Sequence, residues 1–129
     1  MQLVLPEHFY ECFIIMNKKT IQELIDAVVK FREERNWQKS ANPKNIAIAT
    51  SIEVAELLEH FKWKTEKEIE GYVVKHKKAI EEEVADVLFN ALLMVDRLGM
   101  DMDKVFFEKM KKNNKKYPVA KVKGKNPHL

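Results

Sequence analysis

Between Val84 and Val95 the chain is apolar in almost every direction around a helix axis, with only Asp86 and Asn90 as polar interruptions. A helix that is apolar all round belongs in a core, so this stretch predicts a buried helix with other elements packed about it. Those elements are expected to be helices too. Three glycines and four prolines in 129 residues are too few for a turn-rich β-fold. A chain of this length has room for one domain and one core. So small a bundle leaves apolar faces that further copies of the chain would cover.

The helix boundaries follow from local chemistry. Thr20 with Glu23 forms a capping box that opens a helix at Ile21, running to about Asn36 with Leu24, Ile25, Val28 and Val29 on its apolar stripe. A linker from Trp37 leads to Asn42-Pro43, a cap followed by proline at the first helical position. The second helix then continues to about Phe61. Thr65 with Glu68 starts a short helical turn expected to close at Gly71. A long helix from Tyr72 to Leu98 follows, stopped by Gly99. Asp101 caps a last helix ending near Lys116, ahead of Pro118. There is no repeat, no glycine-rich phosphate loop and no alternating strand pattern. The expected architecture is an all-α four-helix bundle with short connections.

Residues 1–15 are fairly apolar, yet they lack a basic start and contain Glu7 and Glu11, which argues against a secretory signal. Met16-Asn17-Lys18-Lys19-Thr20 reads as a natural chain start. Residues 1–15 are therefore expected to be an extension, 16–118 the folded domain and 119–129 an irregular basic tail. The single Cys12 excludes an intramolecular disulfide and fits a reducing, cytoplasmic setting. No apolar run is long enough to span a bilayer.

The net charge of +3 is unevenly spread, with nine lysines against the single acid Glu108 in 104–125. Such a segment suits nucleic acid, or equally a small polyphosphate.

The informative acids lie inside apolar sequence. On the second helix Glu53 and Glu56 share a face, with His60 four residues further on. On the third, Glu83, Asp86 and Asn90 form one stripe. Unpaired carboxylates are costly to bury, and lysines are sparse from 45 to 60. A divalent cation answers both facts, and oxygen ligands favour Mg²⁺ or Mn²⁺ over zinc. The alternative is that these acids sit on solvated helix edges beside lysines. A di-iron bundle would need Glu-x-x-His on two helices. Leu57 precedes His60 at that spacing and Val73 precedes His76, while His8 and His128 lie near the chain ends.

Glu53-Val54-Ala55-Glu56, then 26 residues, then Glu83-Val84-Ala85-Asp86 resembles the ExxE…ExxD signature of the all-α nucleoside triphosphate pyrophosphatases, the MazG-like superfamily. The resemblance extends over about 21–124. It is greatest to the dCTP pyrophosphatase branch, through Arg35-Asn36-Trp37, Pro43-Lys44-Asn45, Phe61-Lys62-Trp63-Lys64, Lys109-Met110, Asn113 and Tyr117-Pro118. It implies Mg²⁺-dependent cleavage of a nucleoside triphosphate to monophosphate and pyrophosphate, in a homodimer or homotetramer that clears unwanted nucleotides. It implies that Glu53, Glu56, Glu83 and Asp86 are the metal ligands and catalytic acids. It also implies that Trp37 and Trp63 flank the base and that Lys109, Asn113 and Tyr117 lie near the phosphates. Two positions depart from the dCTP-specific pattern: Val28 stands where those members have histidine, and Asn90 where they have tyrosine. Asn90 offers both a donor and an acceptor to a base or sugar. Pyrimidine deoxynucleotides such as dCTP are the expected substrates, with weakened discrimination. The competing class is a non-catalytic helical module that binds nucleic acid or a protein through its basic C-terminus.

Overall fold

The computed structural model describes residues 18–126. It is built of α1 (Ile21–Glu34), α2 (Pro43–Glu59), α3 (Glu66–Arg97), α4 (Met102–Lys116) and the short α5 (Val119–Val122), with no strand among the described residues. The all-α architecture with four long helices is as expected. The extension at 1–15, with Cys12 and His8, and also His128 lie outside the described residues. No described helix is long and apolar enough to cross a membrane.

The caps behave as the sequence predicts. The Glu23 carboxylate accepts from the Thr20 backbone N–H at 2.7 Å, while Thr20 Oγ1 accepts from the Glu23 N–H at 3.2 Å. Asn42 Oδ1 accepts from Asn45 N–H at 2.9 Å and Asp101 Oδ1 from Lys104 N–H at 3.1 Å. The end of α1 is set by Asn36, whose φ of +53° is left-handed. This allows the Trp37 N–H to turn back onto the Arg32 carbonyl at 3.1 Å.

Gly71 does not close a helix. It lies inside α3, which is one element of 32 residues. A glycine stops a helix by taking a left-handed φ, as Gly99 does at +58°; Gly71 does not. The irregularity falls instead at His76, with φ −115° and ψ 16°. There the ring Nδ1–H donates to the Tyr72 carbonyl at 3.0 Å, and the two rings stack at 3.9 Å. In the tail, Val119–Val122 forms a short helix where irregular chain was expected.

The core is formed by Ile25 and Val28 of α1, Ile46 of α2, and Leu92, Leu93 and Val95 of α3, with Phe89, Met94, Met100 and Met102 packed around it. It occupies one end of the α2–α3 pair. The expectation that α3 is buried on all sides is corrected: Val84 and Leu88 are exposed, as are Ile48, Ile52 and Leu58 of α2. Among the described residues α3 packs chiefly against α1 and α2, which leave its remaining face uncovered. Helix α4 contributes no buried residue and exposes Phe106 and Phe107.

Ile46 is the most buried core side chain, at 3 % exposure. Ile46→Ala should lower unfolding free energy by about 2–5 kcal/mol, the range for truncating a buried aliphatic group. Urea denaturation followed by circular dichroism measures it.

Candidate active site

Helices α2 and α3 run antiparallel, so the middle of one meets the middle of the other. Each of Glu53, Glu56 and Glu83 places a carboxylate oxygen within 4.8 Å of the others. Burial pushes the Glu53 carboxyl above the ordinary glutamate range, and the charges of Asp86, Glu56 and Glu83 push it further. Asp86 thus belongs to the same electrostatic cluster. Glu83 Oε2 is buried and has no hydrogen-bond partner. Among the described residues no lysine, arginine or histidine forms an ion pair with any of the four acids. An orphaned carboxylate oxygen beside crowded negative charge calls for a cation. The all-oxygen donor set fits a hard divalent ion such as Mg²⁺ or Mn²⁺. His60 is engaged elsewhere, its Nδ1 lying 2.9 Å from the Tyr72 hydroxyl.

A cleft of about 370 Å³ opens beside this cluster, lined by Phe31, Trp37, Phe89, Asn90, Asn45 and Arg32 among others. Phe31 meets Trp37 edge-on at 6.0 Å between centroids and Phe89 at 5.4 Å. Ala49, also on the cleft wall, precedes Glu53 by four residues, and Asn90 follows Asp86 by four. One helical turn, about 6 Å, therefore separates the aromatic cleft from the acids along both helices. Asn90 is buried, and its Nδ2 donates to the Asp86 carbonyl at 3.2 Å. Its Oδ1 is left as an unspent acceptor.

The family model described as the MazG-like family matches residues 48–126. The chain belongs to the MazG-like family. Among curated proteins it is similar to dCTP pyrophosphatase 1 of Rattus norvegicus, 30% identical over 114 residues, covering 87% of this chain and 67% of the relative. The Homo sapiens dCTP pyrophosphatase 1 is 31% identical over 109 residues, covering 83% and 64%. The Mus musculus protein is 31% identical over 107 residues, covering 81% and 63%. The chain thus spans about two thirds of the length of these relatives. The crystal structure of a pyrophosphatase from Archaeoglobus fulgidus superposes with a TM-score of 0.73 at 40% identity, covering 79% of this chain and 95% of that one.

In this MazG-like chain Glu53, Glu56 and Glu83 converge, the exposed Asp86 is near enough for its charge to act on Glu53, and Trp37 and Asn90 line the cleft. The remaining expected residues stand apart. Trp63 is 84 % exposed, with Lys62 Nζ 5.4 Å from its ring centroid, and it does not line the cleft that holds Trp37. Lys109, Asn113 and Tyr117 are carried by α4 and its C-terminal cap, which likewise do not reach that cleft. Val28 lies in the core and does not line the cleft. The sequence motifs assigned Phe31, Arg32 and Phe89 no place in a site and included Asn45 only within Pro43-Lys44-Asn45. A signal existed for Arg32: it follows Ile25 and Val28 on the buried register of α1, where a charge needs a reason.

The raised Glu53 carboxyl has a sign that can be checked. In the metal-free protein the folded state holds this proton more tightly than the unfolded state. Stability is therefore lost as pH rises through the folded value, and the penalty persists above it. Glu53→Gln should accordingly raise the metal-free melting temperature at about pH 8 and do little at about pH 4, where glutamates are largely protonated. Calorimetric scans in chelator at both pH values test this, and Mg²⁺ should stabilise the wild type more than the variant.

Proposed function

We propose that this chain is a nucleoside triphosphate pyrophosphohydrolase that releases monophosphate and pyrophosphate and clears surplus or unwanted nucleotides in the cytoplasm. The observation that carries this reading is the crowded carboxylate cluster of Glu53, Glu56 and Glu83, with a buried, unpartnered oxygen on Glu83 and with Asp86 adding its charge at Glu53. It stands one helical turn from an aromatic cleft sized for a nucleoside. The pyrophosphatase relatives support the same reaction.

In this reading the four acids hold Mg²⁺, with Mn²⁺ as a substitute. When bound, the ion neutralises triphosphate charge and lowers the pKa of the attacking water. One carboxylate of the cluster takes the water proton. Trp37, Phe31 and Phe89 stack on the base, while Asn90 meets its edge or the sugar. Alignment and charge stabilisation, which a rigid helical frame supplies, are most of what phosphoryl transfer asks of a protein. Pyrimidine deoxynucleotides are the proposed substrates, as the names of the curated relatives suggest.

The site is completed by a neighbouring subunit. Ile48, Ile52, Leu58, Val84 and Leu88 form exposed apolar faces beside the acids, and Trp63 and the aromatic residues of α4 are also uncovered. A homodimer or homotetramer covers these faces. It brings Trp63, Lys109, Asn113 and Tyr117 of one copy to the pocket of another, with the lysines of 104–125 facing the polyphosphate.

A panel of canonical and modified nucleoside triphosphates assayed with Mg²⁺ should yield monophosphate and pyrophosphate. Glu56→Gln should reduce turnover by on the order of a hundredfold or more, with the fold intact. Steady release of diphosphate and orthophosphate would indicate another reaction. Near-normal turnover of Glu56→Gln at saturating Mg²⁺, with nucleic-acid binding that depends on the lysines of 104–125, would favour a binding module instead.

Assembly has a separate readout. Sedimentation at assay concentration should show a dimer or tetramer, and a strictly monomeric, fully active species would refute the shared pocket.

A further inference from the structure

Arg32 is buried at 8 % exposure on the core-facing side of α1, a costly place for a guanidinium. Its Nη1 donates to Asp96 Oδ2 of α3 at 2.8 Å, and its Nη2 lies 3.5 Å from Glu33 Oε1. Its Nε is buried and has no partner. Bracing α1 against α3 does not by itself require this pair, because apolar residues of similar volume stabilise such a contact as well or better. Arg32 also lines the aromatic cleft. Stacking on Phe31, Trp37 and Phe89 recognises any flat ring and selects none. Choice has to come from the polar groups that share the cleft wall, and among them Arg32 alone can present a planar fork of donors.

We propose that Arg32, pinned by Asp96, is a specificity-determining residue: it selects, among stacked pyrimidines, the base that turns two adjacent acceptors toward a guanidinium and an amino group toward Asn90 Oδ1. The inference rests on the reading of the cleft as the nucleoside pocket. Cytosine satisfies the pattern, with O2 and N3 as acceptors and the N4 amino group as donor. Thymine and uracil carry N3–H in the middle of that edge. There a donor would face a donor, and both would lose a partner on stacking. Asp96 aligns the fork; Arg32 meets the base.

The test compares Arg32→Met and Arg32→Lys with wild type for kcat/KM on dCTP, dTTP and dGTP, alongside melting temperatures and calorimetric titration with dCMP and dTMP. The lysine variant can keep a single bond to Asp96 but cannot present a fork. In both variants the dCTP-to-dTTP ratio should fall by at least about fivefold, the low end for losing a bidentate base contact. The loss should appear in KM for dCTP, with kcat little changed. Should Arg32→Met fail to fold, Arg32→Lys decides. An equal fall on all three substrates, or an unchanged ratio in a folded Arg32→Lys, would reduce Arg32 to a brace and overturn the inference. The titrations separate this from the pyrophosphohydrolase reading. A wild-type preference for dCMP over dTMP that vanishes in Arg32→Lys supports the inference even for a chain without turnover, and no such preference counts against it even if triphosphates are hydrolysed.

Discussion

The antiparallel packing of α2 against α3 holds the rest of the structure together, and it does so with two unlike ends. At one end Ile46 meets Leu92 and Leu93 in a buried apolar cluster. About two helical turns away along α2, the same two helices press Glu53 and Glu56 toward Glu83 and Asp86. Apolar burial at the first end supplies the free energy that keeps like charges together at the second. The helix positions of the half-buried Glu53 and Glu83 are thereby held beside each other, with Glu56 and Asp86 at the exposed margin.

Helix α1 turns this pair into a pocket. Its buried face, Ile25, Val28 and Arg32, closes the core, while Phe31 and Trp37 at its C-terminal end rise beside Phe89 to form the aromatic wall. The left-handed Asn36 is a small device with a large effect. It reverses the chain straight after α1, so that Trp37 lies over the cleft instead of continuing along the helix axis. The Arg32–Asp96 pair fixes the distance between α1 and α3 at the same place. Cleft and acids thus share the α2–α3 frame, with the 35–42 linker supplying Trp37 to the cleft wall.

A MazG-like chain of this kind keeps much of its apolar surface outside its own core. Leu58 and Val84 flank the acids yet remain exposed, and α4 carries Phe106 and Phe107 into the open. These faces are contiguous with the elements that carry the carboxylates, so any subunit that covers them also borders the site. The separation of Trp63 from Trp37 within one chain has the same origin. Trp63 follows the end of α2 that points away from the cleft, and none of the described residues brings it back.

Local chemistry in the sequence determined where helices begin, because a cap is a hydrogen bond between residues three apart: Thr20 with Glu23, Asn42 with Asn45, Asp101 with Lys104. It also determined that Glu53 pairs with Glu56 and Glu83 with Asp86 on common faces, since helical spacing places residues three apart side by side. It did not decide what happens across helices. Gly71 looked like a terminator, but a glycine ends a helix only when its backbone turns left-handed, and packing and neighbouring residues held it helical. The apolar run 84–95 looked uniformly buried, but the described residues supply neighbours for only part of its circumference. Which acids cluster, which aromatic residues share a cleft, and why an arginine stands on the buried side of α1 are all matters of contact between residues up to 64 apart, as Arg32 and Asp96 are. Such contacts depend on how helices dock, and only the tertiary structure decides them.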